Sequence, residues 1–409
     1  MTDRLCPRDE ADVVEAVRWA VSESRPLEVA GTGTRRALGR ATQEAVTLEL
    51  AGLSGVTLYE PAELVLSARA GTPLAEIEAM LGEARQMMAF EPMDHGPLLG
   101  QKAGQGTLGG LMALNLAGPR RPSAGAARDH ALGLRAVSGR GEAFKAGGRV
   151  VKNVTGYDLP RGLAGSYGTL VAYTELTIKV LPRPETVETL LIRGLDDPAA
   201  ARAMSEAVGS YYDVSGAAHV PAEVAARIPA LAGLGGPVTA LRLEGVRPSI
   251  RHRREKLEMM LAGRGALATL EEAGSLAFWT AVRDALPFAL EEGARLDAAK
   301  ALWKVSTAPM HGPVLGAAAR GLGASVFYDW AGGLVWIEMP GPDPQAAAIR
   351  AALAPGGGHA TLLRAGTTTR ATVEVFQPLD PVTGQLVRRM KDSFDPGRIL
   401  NPGRLYAGV

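Results

Sequence analysis

The chain reads as an α+β protein of two domains with a returning tail, and three observations carry that reading. Its 409 residues suffice for two or three domains, at roughly 100–200 residues each. Residues 1–180 set short strands and amphipathic helices around a dense glycine region. At Leu181-Pro182-Arg183-Pro184 that pattern breaks, because each proline disfavours helix before it and lacks a ladder donor. Over 181–379 strand-like and helical runs alternate, the order of an antiparallel sheet with helices on one face. Residues 380–409 form the tail.

The elements follow in order. Val13, Val14, Val17 and Val21 share one helical face, and Asp9 stands where an N-cap belongs. Pro26 ends that helix, 27–30 is a short apolar strand, and the loop GTGTRRALG (31–39) follows. Strands are expected at 46–50, 56–59 and 64–70. Thr72-Pro73 offers a cap and a first-turn proline to a helix facing the core with Leu74, Ile77 and Leu81. Residues 169–180 make a long strand with Leu170, Ala172, Leu176, Ile178 and Val180 on one face. Beyond the prolines, strands are expected at 187–192, 238–243, 325–328, 334–338 and 372–376. Helices are expected at 199–208, 250–261 and 345–353. The tail string DSFDPGRILNPGRLY (392–406) reads as an extended segment packed on something else.

Composition removes several classes of function. Basic and acidic residues number 44 and 43, a net charge of +1, without the basic excess that nucleic-acid binding needs. Hydrophobic residues make up 46%, enough for a sizeable core. The one cysteine, Cys6, cannot form an intrachain disulfide or supply a cysteine-ligated zinc ribbon or iron–sulfur cluster. The opening residues lack an apolar signal core. No uncharged stretch reaches the ~20 apolar residues of a membrane span; the nearest, 98–118, contains Lys102. The expectation is a soluble, cytoplasmic protein, peripheral at the inner membrane only through partners.

Glycine is the informative excess. There are 50 glycines, 17 of them within 96–168, a density that marks turns or backbone close to a ligand. A high-GC genome, suggested by 36 Arg against 8 Lys, accounts for the average but not for the cluster.

Three glycine segments stand out. GTGTRRALG lacks the third glycine of a dinucleotide fingerprint, since Arg36 stands there, and it is no Walker A loop. It is either a phosphate-binding turn with Arg35 and Arg36 beside it or a plain tight turn. GTLGGLMALNLAGPRR (106–121) suits a buried ligand with a flat apolar part and anionic parts, or a tightly packed core helix. The third segment, 150–182, contains VVKNVTGYDL and GSYGTL.

Together these strings resemble the FAD-binding domain of vanillyl-alcohol-oxidase-type (PCMH-type) flavoproteins. They are most similar to the family of the smaller, E-type flavin-binding polypeptide of bacterial glycolate oxidases. GTGTRRALG, GTLGGLMALNLAGPRRPSAGAARDHALG, GGRVVKNVTGYDL with GSYGTL, GGHATLLRA (357–365) and DPGRILNPGRLY occur in family order over nearly the whole chain.

The resemblance implies a PCMH-type FAD-binding domain at 1–180, an antiparallel-sheet cap over the substrate at 181–379, and a tail that returns to the flavin domain. Gly31, Thr32, Gly33, Thr34 and Arg35 would bind the FAD pyrophosphate. Thr107, Gly109 and Gly110 would lie along the flavin, with Asn115, Gly118, Arg120 and Arg121 closing around the cofactor. Gly156, Tyr157, Asp158, Gly165, Gly168 and Tyr173 would line the path towards adenine, and Asn401 would come near the ring. Val171 departs from the glycine usual after Gly-Thr-Leu. The first loop has Thr32 and Thr34 where covalently flavinylated relatives place histidine, so non-covalent FAD is expected.

The implied activity is oxidation of a 2-hydroxy acid, glycolate or D-lactate, to the 2-oxo acid. The implied partners are a larger flavin subunit and an iron–sulfur subunit. Such chemistry needs a base, a cation for the carboxylate, and C2 held near the flavin. The six histidines form no His-x-His or His-x-x-x-His pair, so no metal site is expected. His359 and Lys304 are the catalytic candidates. His359 is alternatively a structural strand residue, and Lys304 alternatively a solvated lysine beside Trp303. Two other functions stay open: a non-catalytic flavin-binding, scaffold or electron-relay subunit, and a stand-alone FAD-dependent D-2-hydroxy-acid dehydrogenase.

Overall fold

A computed structural model describes residues 3–42, 46–149 and 156–409. Helix α1 (Glu10–Ser22) starts where Asp9 accepts a hydrogen bond from Asp12 N at 2.9 Å. Its buried face, Val13, Val17 and Ala20, covers a small parallel sheet of β1 (Asp3–Leu5), β2 (Leu27–Ala30) and β3 (Val46–Glu49) in the order β1-β3-β2. Leu27, Val46 and Leu48 of this layer share a core with Val137 and Ala172 of the next sheet.

That next sheet is antiparallel. It contains β4 (Val56–Glu60), β5 (Val65–Arg69), β7 (Ala131–Ser138), β8 (Ala143–Gly147) and β9 (Val171–Lys179) in the order β4-β5-β9-β7-β8. The short strands β6 (Gln86–Met87) and β10 (Leu181–Pro182) pair separately. Helix α2 (Leu74–Glu83) buries Leu74, Ile77 and Leu81 as the sequence predicts. Its cap differs. The Thr72 hydroxyl donates to Arg69 O at 2.7 Å, Pro73 takes the cap position, and Leu74 N finds Gly106 O at 2.9 Å. The glycine region thus supplies the acceptor that a capping side chain would have given. The connections carry α3 (Leu108–Leu114), α4 (Arg121–Ala124), α5 (Ala127–His130) and α6 (Leu159–Leu163).

After the prolines comes an eight-stranded antiparallel sheet. In chain order its strands are β11 (Thr186–Arg193), β12 (Gly216–Val220), β13 (Val238–Gly245), β14 (Ala266–Leu270), β15 (Leu302–Ser306), β16 (Ser325–Asp329), β17 (Leu334–Glu338) and β18 (His359–Arg364). In space the order is β14-β11-β13-β12-β16-β17-β15-β18. The two-residue period sorts its side chains. Leu190, Ile192, Leu241 and Leu243 pack under α7 (Asp197–Val208) and α9 (Arg247–Met260). Val305, Val326, Ile337 and Leu362 pack under α11 (Gly312–Gly321) and α12 (Ala346–Leu353). The opposite face, with Leu191, Phe327, Trp336 and Leu363, joins α8 (Ala222–Ala225), α10 (Glu272–Arg283) and the core of the first 180 residues.

Two expectations at the carboxyl end are corrected. Residues 372–376 are not a strand. α13 (Thr367–Thr372) ends there, and Val375 alone bonds β18, through Leu362 N to Val375 O at 2.8 Å. The tail string does not begin extended, because α14 (Pro381–Phe394) runs through Asp392. From there the chain crosses back: Lys391 Nζ donates to Thr169 O at 2.6 Å, and Asn401 N to Leu27 O at 3.0 Å. Part of VVKNVTGYDL, residues 150–155, lies outside the described residues.

Candidate functional site

Strand β2 delivers the chain into the loop 31–36. Gly33 has φ +81°, a left-handed backbone that glycine adopts without strain. Thr32 Oγ1 donates to Gln105 O at 2.6 Å. From the tail, Arg404 Nη2 donates to Arg35 O at 3.0 Å and Arg36 O at 3.3 Å. The loop is pinned on two sides, yet the N–H groups of Thr32, Gly33, Thr34 and Arg35 find no acceptor among the described residues.

Opposite the loop, the Thr107 hydroxyl caps α3 by accepting from Gly110 N at 3.3 Å. A Cβ on Gly110 would stand 2.8 Å from Arg35 Nη1, so the guanidinium lies directly on bare backbone. The Arg35 guanidinium has no hydrogen bond or ion pair among the described residues. Burial pulls it down to about 10, against the opposing pull of Asp94 and Tyr167. Free N–H groups around an unpaired, half-buried cation form a receptor for an anion. The pyrophosphate of FAD fits it.

Three spaces with shared walls run through this region. The first, about 80 Å³, lies over residues 28–36, Thr107, Gly110, Ala113, Leu114, Tyr167 and Arg404. The second, about 60 Å³, shares Gly31, Thr107, Gly110, Ala113 and Tyr167 and ends on apolar Leu50, Ala70 and Val171, with Gly109, Gly168 and Tyr173. The third, about 180 Å³, shares Leu114 and Tyr167 and opens onto β15 and β18 through Lys304, Ser306, His359, Thr361 and Leu363, with His95, Asn115 and Leu116 on the near side. An apolar slot, an anion loop and a wider polar chamber in series suit a long ligand with a planar group at each end and charge between. Gly31, Thr32, Gly33, Thr34, Arg35, Thr107, Gly109, Gly110, Gly168 and Tyr173 all line the first two spaces.

Among the described residues no carboxylate lines the third space. Lys304 faces Thr361 across the β15–β18 ladder, and Ser306 faces His359. Lys304 Nζ sits 5.5 Å from the Trp330 ring centre and 5.6 Å from that of Trp336, and Arg121 lies 5.1 Å from the Trp330 ring. Burial, then Arg121, lowers Lys304 to about 8 against the opposing pull of Asp329. Asp329 is pushed up to about 7 by burial, although Trp330 N donates to it at 2.7 Å. His359 is exposed at the start of β18.

Of the other sequence candidates only Asn115 lines one of these spaces, the third. Asn115, with φ +49°, ends α3 and accepts from Arg128 N at 3.0 Å. Gly165 N donates to Met112 O at 3.1 Å behind it. Gly118 O accepts from Trp330 Nε1 at 3.0 Å. Arg120 is held by Glu91 at 3.0 Å and by Glu244, away from the three spaces. Its chain neighbours aside, no described residue lies within 4 Å of a Cβ on Gly156, Tyr157 is exposed, and Asp158 caps α6; none of the three lines these spaces. Asn401 is buried and works on backbone. Its Oδ1 accepts from Val29 N at 2.8 Å and its Nδ2 donates to Tyr167 O at 2.7 Å, stapling β2 to the 165–168 turn.

Sequence reasoning passed over three residues of these walls. Tyr167 touches all three spaces with φ +54°; an aromatic residue inside GSYGTL was the available signal. Arg404 sits in the tail string. His95, in PMDHGP, has a buried ring whose Nδ1 has no hydrogen-bond partner among the described residues. Among the described residues no group of three His, Cys, Asp or Glu side chains can hold a metal ion. Nor is any described helix long and apolar enough to cross a membrane.

Comparison with known proteins agrees with this geometry. Residues 4–147 match the family of FAD binding domains, and 366–405 the FAD linked oxidases, C-terminal domain. The glycolate oxidase subunit GlcE of Escherichia coli K12 is 36% identical over 407 residues, 99% of each chain. The glycolate oxidase subunit GlcD of Bacillus subtilis is 28% identical over 51% of this chain and 43% of its own length. A D-lactate dehydrogenase of Archaeoglobus fulgidus is 28% identical over 46% and 40%. In fold the chain resembles p-cresol methylhydroxylase, with TM-score 0.70 and 13% identity over 98% of this chain and 88% of that one. It also resembles 4-ethylphenol oxidase of Gulosibacter chungangensis, with TM-score 0.68 and 14% identity over 99% and 89%. With its α+β fold, its match to FAD binding domains and its full-length match to GlcE, the chain belongs to the GlcE family of FAD-dependent oxidoreductases.

Proposed function

We propose that the chain is the FAD-carrying, E-type component of a glycolate-oxidase-type complex, and that a short 2-hydroxy acid, glycolate or D-lactate, occupies the chamber beneath β15 and β18. One observation carries this: the chamber continues the FAD track and presents Lys304 with no carboxylate in its lining among the described residues. We also infer the division 1–180, 181–379 and 380–409, supported by the change of sheet at the prolines and by the bonds of Lys391 and Asn401 to the first part.

In this reading residues 31–35 hold the pyrophosphate, and Gly168, Val171 and Tyr173 border one planar end. Tyr167, Leu114 and Asn115 border the other. FAD supplies a two-electron acceptor. Lys304 holds the substrate carboxylate as a point charge, without the bidentate fork that arginine would bring. The Trp330 and Trp336 rings fix its ammonium and keep water away. Two partners, a larger flavin subunit and an iron–sulfur subunit, would pass the electrons on, in the cytoplasm or at the inner membrane through them.

Anaerobic mixing of the FAD-loaded chain with glycolate or D-lactate tests this, with and without the partner subunits, while the flavin band is followed. Bleaching that needs the partners is the expected result. Complete bleaching by the chain alone would make it a stand-alone dehydrogenase. No bleaching in the full complex, with flavin bound, would leave a scaffold or electron-relay role.

A further inference from the structure

The 94–104 turn carries a residue that the reading above leaves unused. Asp94 accepts from Gly96 N at 2.9 Å and from Gly104 N at 2.6 Å, and its own N–H donates to Asp284 Oδ1 at 2.8 Å. Leu99 N donates to His95 O at 3.2 Å. From β18, Arg364 Nη1 donates to Leu98 O at 3.1 Å. The turn is therefore held from the cap as well as from its own domain, and the His95 ring is held with it. That ring is only 3% exposed and lines the chamber facing Lys304, Ser306, His359 and Thr361. Its Nδ1 is buried without a hydrogen-bond partner among the described residues. Native proteins rarely leave such an atom unpaired unless a ligand or a function claims it.

We propose that His95 is a catalytic residue of this chamber: its imidazole receives the hydroxyl proton of the 2-hydroxy acid whose carboxylate rests on Lys304. The inference rests on the functional reading above and adds a named proton acceptor to it. The hydroxyl O–H bond breaks and its proton goes to the imidazole, while the electron pair becomes the second C2–O bond. The C2–H bond leaves as hydride, with its pair, to the two-electron acceptor of the flavin class. One 2-oxo acid, one reduced acceptor and one protonated imidazole result.

The surroundings suit that role. Burial, then Arg35 and Lys304, hold His95 well below the ordinary histidine range, so the ring offers a lone pair rather than a proton. A carboxylate bound on Lys304 offsets that cation, which raises the affinity of the ring for a proton only while substrate is present. His359, on the far wall, is exposed to solvent.

The test separates the hydroxyl from the carboxylate. The full chain, loaded with FAD and reduced with dithionite so that no turnover occurs, is titrated calorimetrically with glycolate against acetate and with D-lactate against propionate. The wild type should bind each hydroxy acid about tenfold tighter than its deoxy partner. His95→Phe, with unchanged flavin content, should bring each pair within about twofold, and His95→Asn should restore part of the preference. Should His95→Phe lose its flavin, His95→Leu reports the same ratio. Lys304→Met should weaken both members of each pair together and leave their ratio alone. A preference of about tenfold persisting in His95→Phe or His95→Leu overturns the inference alone, as does equal binding within each pair by the wild type. No binding of any of the four acids, or none of the loss expected in Lys304→Met, overturns the carboxylate site and the inference with it.

Discussion

At the scale of single residues, the cofactor loop and the chamber depend on groups kept bare or kept dry. Gly33→Val places a branched side chain at φ +81°, where L-residues are strained, and the four free N–H groups lose their common direction. FAD occupancy of the purified variant, read from the flavin band, should fall at least about tenfold; full occupancy would detach the pyrophosphate from this loop. Acid precipitation should release the flavin from the wild-type polypeptide. Lys304 makes a pH prediction. Its ammonium, lowered to about 8 by burial and Arg121, is charged below that pH and loses its proton as the pH rises through it. Affinity for glycolate should therefore hold from about pH 6 to 7 and weaken above about 8, with Lys304→Met flat over the same range. The glycines, Arg35 and Lys304 stood out in the sequence because glycine density and family strings mark them. His95 did not, because being buried without a partner is a property of the fold.

At the scale of elements, what local periodicity controls was legible, and what distant partners control was not. α1, α2, α7, α9 and α12 announce themselves by apolar residues three and four apart, β9 by alternation, and β13 and β17 by short, mostly apolar runs. The segment 372–376 also alternates, through Val373 and Val375. Yet α13 runs into it, and the edge of β18 donates one bond, to Val375 O, where a strand would make several. β12, Gly216–Val220, is buried throughout and rich in small residues, so it offered no period to read. α14 was hidden because its role is a buried pair rather than an apolar stripe. Lys391 Nζ reaches Asp395 Oδ2 at 2.7 Å, Thr169 O at 2.6 Å and Leu400 O at 2.9 Å, while Asp395 accepts from Ile399 N and Leu400 N. Both side chains are fully buried. Removing one partner of such a pair costs about 3–5 kcal/mol, because the other charge stays buried. Lys391→Met should lose that much in urea unfolding and weaken FAD binding, since Arg404 and Asn401 hang from the same tail. A loss below about 1 kcal/mol would assign the tail's anchoring to its apolar contacts instead.

At the scale of the whole molecule, the two sheets meet through one apolar core and one buried ionic seam. Phe278, Phe327 and Trp336 from the second sheet and its helices share a core with Leu66, Phe90 and Leu111 of the first part. Beside it Glu91 takes Arg120 at 3.0 Å and Arg242 at 2.8 Å, and Glu244 takes Arg120 as well. Glu91 and Arg120 belong to the flavin side, Arg242 and Glu244 to β13, so the seam crosses the boundary that the chamber also straddles. Composition and motifs could not show this, since Glu91, Arg120 and the Arg242–Glu244 stretch of β13 lie far apart in sequence. Burial pushes Glu244 up, but Arg242 and Arg120 outweigh it and hold the carboxyl down at about 2. A carboxylate lowered on folding adds stability that is complete above its ordinary range near about 4.5 and is lost as the pH falls through that range toward about 2. About two and a half pH units correspond to about 3 kcal/mol. Glu244→Gln, which keeps the shape and removes the charge, should therefore unfold more easily than the wild type at about pH 7. The gap should shrink steadily as the pH falls from about 4.5 toward about 2, where the wild-type side chain is itself becoming neutral. Differential unfolding of the two proteins by urea across that range reads the effect directly. A gap that stays constant with pH would show that the seam contributes by packing and not by charge.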